Sequence, residues 1–381
     1  DEEPLELLNL QRSEGHRRII FDEFFFLELG MALKRRGMAL EPGICFRTGG
    51  ALAQRLLDLL SFQLTRAQQR VWDEIREDLG RAHPMNRLIQ GDVGSGKTVV
   101  ALLACLHVIE CGYQAAIMAP TEVLAEQHYL NLHRWVEPLG VQVALLTSSI
   151  KGSEKENLYQ RIKKGEVQLV IGTHAVIQEV VEFHQLGLAI IDEQHKFGVV
   201  QRGLLKKKGE NPDVLVMTAT PIPRTLAMTI YGDLDVSLID EMPPGRMPVE
   251  TRVYPEPGRA RVYRILEEEV RKGRQVFIVY PLVEESEKLQ LRDATRMAEQ
   301  LQKEVFPEFR IGLLHGRVKS EEKEAIMMEF KEGKIQILVA TTVIEVGIDI
   351  PNASVMVVEH AERFGLSQLH QLRGRIGRGR Y

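Results

Sequence analysis

No stretch of the chain approaches the roughly 20 uninterrupted apolar residues needed to cross a bilayer. The longest candidate, Val99 to Ile109, is broken by His107 and reads as a buried helix. The first residues given, from Asp1, do not read as a signal peptide. We therefore expect an internal piece of a longer cytoplasmic protein, trimmed at one or both ends. Cysteine is scarce: Cys45, Cys105 and Cys111 show neither metal-ligand spacing nor a paired framework. They read as small buried residues in a reducing compartment. A strong excess of positive charge is also missing, because the formal net charge is -4. If the chain binds nucleic acid, it does so through local patches rather than a global field.

What is present is enough chain for two or three domains, with 381 residues and 44% hydrophobic content. Residues 1–61 carry no strand alternation. From Arg17 to Arg36, Ile20, Phe24, Leu27, Leu29, Met31 and Leu33 recur at helical spacing. Three consecutive phenylalanines, Phe24 to Phe26, are too many for one face of an exposed helix and suggest a surface that packs on another part. This segment reads as a helical linker. From about residue 62, near-continuous apolar strands alternate with helices, at Arg87–Gln90, Ala115–Ala119, Val141–Leu146, Gln168–Ile171, Leu188–Ile191 and Val214–Met217. The pattern returns at Val276–Tyr280, Arg310–Leu314, Ile335–Val339 and Val355–Val358. Such runs predict parallel sheets covered on both faces, and hence an α/β class. Between the two sets, Met242-Pro-Pro-Gly-Arg-Met-Pro248 can continue neither helix nor central strand and is placed as the hinge. The expected division is 1–61, 62–242 and 243–381. Ser320 with Glu321 and Glu322 predicts a helix start, with Ile326, Met327 and Phe330 facing inward.

The strand Arg87–Gln90 runs straight into Gly91-Asp92-Val93-Gly94-Ser95-Gly96-Lys97-Thr98 and then an apolar helix. This is a phosphate-binding loop in its strand–loop–helix context. Its glycines let backbone N–H groups converge on phosphates at a helix N-terminus. Lys97 is expected to reach the β and γ phosphates, and the Thr98 hydroxyl to ligate Mg²⁺. Downstream, Leu188-Ala-Ile-Ile191 ends in Asp192-Glu193-Gln194-His195. Strand ends at the carboxyl edge of a parallel sheet are where ligands sit. Asp192 is placed as the second Mg²⁺ holder and Glu193 as the residue that orients and deprotonates the attacking water.

Asp-Glu-x-His after a phosphate loop resembles the second motif of the superfamily 2 helicases, and the other motifs appear in order. Phe62-Gln-Leu-Thr65-Arg-Ala-Gln68 resembles their glutamine motif. Ala119-Pro-Thr121-Glu122 and Gly172-Thr173-His174 resemble strand-contacting motifs. Thr218-Ala-Thr220-Pro-Ile-Pro-Arg-Thr225 resembles the motif that couples hydrolysis to movement. Thr341-Thr-Val-Ile-Glu-Val-Gly347-Ile-Asp349-Ile-Pro351 and Gln371-Leu-Arg-Gly374-Arg375-Ile-Gly377-Arg378 resemble the last two. The resemblance spans about residues 62–381 and implies two RecA-like domains with ATP between them. It implies an adenine site at Phe62 and Gln68, with Gly347 and Asp349 completing the nucleotide site from the second half. Coupling then falls to His195, Thr218, Thr220 and Gln371, and the arginine fingers are Arg375 and Arg378. DNA contacts are implied at Thr121, Thr147, Ser148, Thr173, His174, Tyr280 and Thr342, mostly to phosphates.

More narrowly, Asp192-Glu-Gln-His-Lys-Phe-Gly198, Met217-Thr-Ala-Thr-Pro-Ile-Pro-Arg224 and Ala361-Glu-Arg-Phe-Gly-Leu-Ser-Gln-Leu-His-Gln371 resemble the bacterial branch-migrating helicases. The transcription–repair coupling translocases share the Pro-Ile-Pro-Arg-Thr stretch but usually depart from the Asp-Glu-Gln-His order. This resemblance implies an ATP- and Mg²⁺-dependent monomer acting on forks and four-way junctions in recombination and repair, with single-stranded DNA-binding protein as a partner. An ATP-gated DNA clamp that does not translocate is the competing reading. A metabolic phosphotransferase is a remote third, because it leaves the second half and its arginines unexplained.

Overall fold

The computed structural model describes residues 10–39, 41–150, 152–193, 199–220, 234–244, 249–281, 295–315, 318, 320–341 and 350–377. Its helices are α1 (Glu14–Ala39), α2 (Ala51–Leu59), α3 (Arg66–Leu79), α4 (Lys97–Glu110), α5 (Glu122–Val136), α6 (Gly152–Lys163), α7 (Val199–Lys206), α8 (Arg259–Arg271), α9 (Ser320–Lys331) and α10 (Leu366–Arg373). Among the described residues, eleven strands form two sheets. The first holds β1 (Asn86–Gly91), β2 (Gln114–Met118), β3 (Val143–Leu146), β4 (Leu169–Gly172), β5 (Leu186–Asp192), β6 (Asp213–Thr218) and β7 (Asp235–Ile239). The second holds β8 (Gln275–Tyr280), β9 (Ile311–Leu314), β10 (Ile337–Thr341) and β11 (Ala353–Val358).

The strand orders are β3-β4-β2-β5-β6-β1-β7 and β11-β8-β10-β9, and the pairings are parallel throughout. The α/β class and the parallel sheets expected from the apolar runs are therefore present, in the two-sheet arrangement that the resemblance to RecA-like domains implies. Helix α4 lies in the first core and is buried along nearly its whole length, which is why its sequence shows no polar stripe. It packs on α2, α3 and the strands β1, β2 and β5. The expected helix at Ser320 is α9; its Phe330 is fully buried, and Ile326 and Met327 pack against the same core. Among the described residues no helix is long and apolar enough to cross a membrane.

Two features differ from expectation. Strand β7 went unread because it is an edge strand whose residues alternate between buried and solvent-facing, with Asp235 and Ser237 interrupting the apolar pattern. Cys45 is exposed rather than buried, its thiol donating to the Gly80 carbonyl at 2.9 Å, and Cys111 is half-buried; only Cys105 sits in the core. Phe24, Phe25 and Phe26, expected to form a surface that packs on another part, are exposed along α1.

At the foot of β6, Asp213 is 1% exposed. Its Oδ1 accepts the Met85 N–H at 2.6 Å, while Oδ2 is buried without a hydrogen-bond partner. Burial pushes this carboxyl up to about 8, with nearby Asp78 adding to the rise and the Met85 bond opposing it. A folded-state value above the unfolded one, about 3.9, means that the favourable contribution is complete below about pH 4. It is lost as pH rises through about 8. Asp213→Asn is expected to flatten this loss: across pH 4 to 9 its thermal midpoint should fall less than that of the parent, with a difference of roughly 3 °C or more. Parallel midpoint–pH curves would show that Asp213 is ionised in the fold.

Candidate nucleotide and helicase site

Parallel pairing brings three strand ends to one edge. Gln90 of β1 lies opposite Thr218 of β6, and Met217 of β6 lies opposite Asp192 of β5. The phosphate loop, the threonine pair and the two carboxylates therefore share the carboxyl edge of the sheet, where a parallel arrangement opens its crevice.

Gly91 closes β1, and the loop turns into α4 through Gly96, whose φ of 86° is left-handed. A side chain there is barred twice, because a Cβ would lie 2.2 Å from Gln68 Nε2. Gln68 is 2% exposed. Its Nε2 donates to Ser95 O at 2.7 Å, and its Oε1 accepts the Thr65 N–H at 2.8 Å, closing the capping box of α3. The amide expected to meet adenine thus braces the loop from behind, while Phe62, 41% exposed, stands nearby at the surface. Lys97 rests its ammonium on the carbonyls of Gly91 and Asp92, at 2.7 and 2.9 Å. Asp92 Oδ1 accepts the Val93 N–H at 2.7 Å. Ser95 Oγ is buried without a hydrogen-bond partner, and Thr98 is half-buried.

Asp192 is buried at the tip of β5. Burial alone raises its carboxyl, but the His128 hydrogen bond and the electrostatic pull of His128, Lys97 and Arg375 outweigh it and hold the group below its ordinary value. Glu193 follows at a φ of 51°, an uncommon conformation for a residue with a side chain. Its N–H donates to Met217 O at 2.9 Å. Its carboxylate accepts the Ala219 N–H at 3.1 Å and the Thr218 hydroxyl at 3.4 Å, and Thr218 Oγ1 in turn accepts the Thr220 N–H. The carboxylate placed for water activation is therefore bonded to the segment placed for coupling.

The second sheet contributes α10, which reaches this loop. His370 Nε2 lies 2.9 Å from Asp92 Oδ1. That is ion-pair distance, although the approach lacks hydrogen-bond alignment. A Cβ on Gly374 would sit 2.4 Å from the Val93 Cβ, so only glycine permits this approach. Gln371 is buried here, and the charge of Arg375, one residue beyond Gly374, is felt at Asp192.

Of the expected DNA contacts, Ser148 and His174 are exposed. Thr121 is half-buried and caps α5, its Oγ1 accepting the Leu124 N–H. Thr147 and Thr173 are buried, with Thr147 Oγ1 paired to Ser149 and Thr173 N–H donating to Leu146 O. Tyr280 is half-buried beside Arg259 and Glu359. His195, Thr342, Gly347, Asp349, Arg378 and part of the Met242–Pro248 hinge lie outside the described residues. Nothing in the local sequence pattern singles out His128, Glu241, Arg70 or His370. Glu241 accepts the Ala67 N–H at 3.0 Å, and Arg70 donates to Leu238 O and Asp240, tying the glutamine motif to the chain just after β7. Their partners lie 64 to 278 residues away, out of reach of local spacing.

Residues 65–229 match the DEAD/DEAH box helicase family, and residues 259–380 match the helicase conserved C-terminal domain. The chain is 55% identical to the ATP-dependent DNA helicase RecG of Synechocystis sp., over 96% of this chain and 44% of that protein. It is 48% identical to RecG of Bacillus subtilis, over 100% of this chain and 55% of that protein. Among solved structures, RecG bound to a three-way DNA junction superposes with a TM-score of 0.79 at 50% identity, covering 95% of this chain and 48% of that one. The helicase MrfA bound to DNA shares the fold at a TM-score of 0.65 and 18% identity, covering 89% of this chain and 51% of that one. The chain thus spans about half the length of the relatives it matches. With a DEAD/DEAH box helicase domain followed by a helicase conserved C-terminal domain, and this identity along nearly its whole length, the chain is similar to the helicase part of the RecG proteins.

Proposed function

We propose that this chain is the ATP-hydrolysing motor of a DNA translocase that remodels branched DNA, with residues 62–242 and 243–381 as its two lobes and 1–61 as a helical lead-in. The observation that carries the reading is α10 lying on the phosphate loop, with the charge of Arg375 at Asp192. A nucleotide bound at the loop then meets one lobe through Lys97 and the loop amides and the other through Arg375. Turnover requires both lobes together, so each cycle of binding and release moves one lobe against the other.

Thr98 and Asp192 suit Mg²⁺, since both offer oxygen and Asp192 is held ionised. Among the described residues no cluster of three His, Cys, Asp or Glu could hold a metal. Mg²⁺ does not need one, because it is usually held by one or two carboxylates together with substrate phosphates. When bound, it neutralises charge on those phosphates. Glu193 orients the attacking water and takes its proton. The Thr218 and Ala219 donors hold that carboxylate, so a change there reaches the coupling segment directly. DNA is held along the carboxyl edge, with Ser148 and His174 the exposed contacts of the first lobe. The reading includes a cytoplasmic monomer, with single-stranded DNA-binding protein as a partner.

The test compares steady-state ATP turnover without DNA and with linear, forked and four-way DNA. We expect all three to raise turnover, because the proposed cycle is completed by DNA held along the carboxyl edge of the sheet. A rate indifferent to every DNA would remove the motor reading.

A further inference from the structure

Strands β2 and β5 are hydrogen-bonded neighbours, with Met118 opposite Ile191. The chain leaves β2 through Ala119 and Pro120 into Thr121, whose hydroxyl accepts the Leu124 N–H and caps α5. Glu122 Oε1 accepts the Ser148 N–H at 2.8 Å, so the same helix end is fastened to the loop beyond β3. Ala125, Leu132 and Val136 are buried and hold α5 on the sheet. His128 lies seven residues after Thr121, close to two turns, and so on nearly the same side of the helix.

His128 Nε2 is 2.8 Å from Asp192 Oδ2, and the two side chains are only 12% and 13% exposed. An ionised carboxylate can only accept, so His128 is the donor in this bond. The bond occupies one oxygen of Asp192 and leaves Oδ1 to face a metal's water shell. Asp192 ends a strand hydrogen-bonded on both sides, so its backbone is stiff and its side-chain torsion is the soft coordinate. His128 holds that torsion.

We infer that His128 is a positioning residue linking the DNA-contacting end of α5 to the carboxylate that faces the nucleotide's Mg²⁺. The inference rests on the proposed roles of Thr121 in DNA contact and of Asp192 at the metal. Strand binding at Thr121 and Ser148 shifts or stiffens α5. The helix is a rigid rod of about 10 Å between Thr121 and His128, and His128 carries the displacement to Asp192. Coupling of this kind is reciprocal: DNA changes the affinity for metal-bound nucleotide, and metal-bound nucleotide changes the affinity for DNA by the same factor.

The test is the Mg²⁺ dependence of binding of a fluorescent ADP analogue to the full chain, measured with and without forked DNA. In the parent, DNA is expected to shift the Mg²⁺ midpoint by about fivefold or more. His128→Leu is expected to reduce that shift to less than about twofold, because the Asp192 torsion is no longer tied to α5. His128→Gln, which can present an amide donor in place of the imidazole nitrogen, is expected to keep most of it. A histidine that only fills space would lower the thermal midpoint when replaced and leave the DNA-induced shift intact. An undiminished shift in His128→Leu, or no shift in a parent whose ATP turnover does respond to DNA, overturns the inference. A parent whose turnover ignores DNA instead sinks the motor reading, so the two failures are told apart.

Discussion

Arg375→Ala is expected to lower ATP turnover by on the order of 10³-fold or more, with binding of a fluorescent ATP analogue little changed. Arg375 comes directly after the α10 segment that lies against the phosphate loop, and its charge acts on Asp192 from the opposite sheet. A guanidinium in that position stabilises charge that develops only as the γ-phosphate transfers, so its loss appears in the chemical step rather than in binding. A steric variant tests the same geometry. Gly374 has φ of -68°, which any residue adopts, so alanine there is resisted only by Val93. Gly374→Ala should therefore depress turnover by holding the lobes apart, and adding Val93→Gly should recover part of the loss. Normal single-turnover rates in Arg375→Ala would mean that the reaction is completed within the first lobe.

Glu193→Gln is expected to reduce turnover by about 10²- to 10⁴-fold and to leave nucleotide binding in place. The amide oxygen can still accept the Ala219 N–H, and the amide nitrogen that replaces the second oxygen can donate to Thr218 Oγ1, so the local contacts survive while the proton acceptor is lost. Because both side chains sit at the same left-handed φ, backbone strain does not confound the comparison. Rapid-quench measurement of one turnover, set beside analogue binding, separates the two effects. A glutamine variant that still hydrolyses at the parental rate would move the base to another residue.

Local chemistry was enough to expose much of this protein. The phosphate loop was legible because backbone convergence on a phosphate needs glycines, a lysine and a hydroxyl within eight consecutive residues. The buried strands were legible because a parallel sheet covered on both faces needs unbroken apolar runs. Asp192 and Glu193 were legible because they end such a run. Edge strand β7 hid for the complementary reason: one of its faces meets solvent.

Spatial partnership stayed out of reach. The resemblance assigns the Gln68 amide to adenine, yet folding commits both its ends to Ser95 O and Thr65 N–H. His128 has nothing beside it to mark it, and gains its partner at the end of β5 only when α5 packs on the sheet over β3 and β4. The approach of Gly374 to Val93 and of His370 to Asp92 depends on how two sheets, joined by a proline-rich segment, come together. Adjacent residues along the chain are enough to say which groups can cradle a phosphate and which strands lie inside, because both properties are local. The pairing of groups across the site is not local: those distances are set by packing between elements far apart in the chain, and they exist only once the protein has folded.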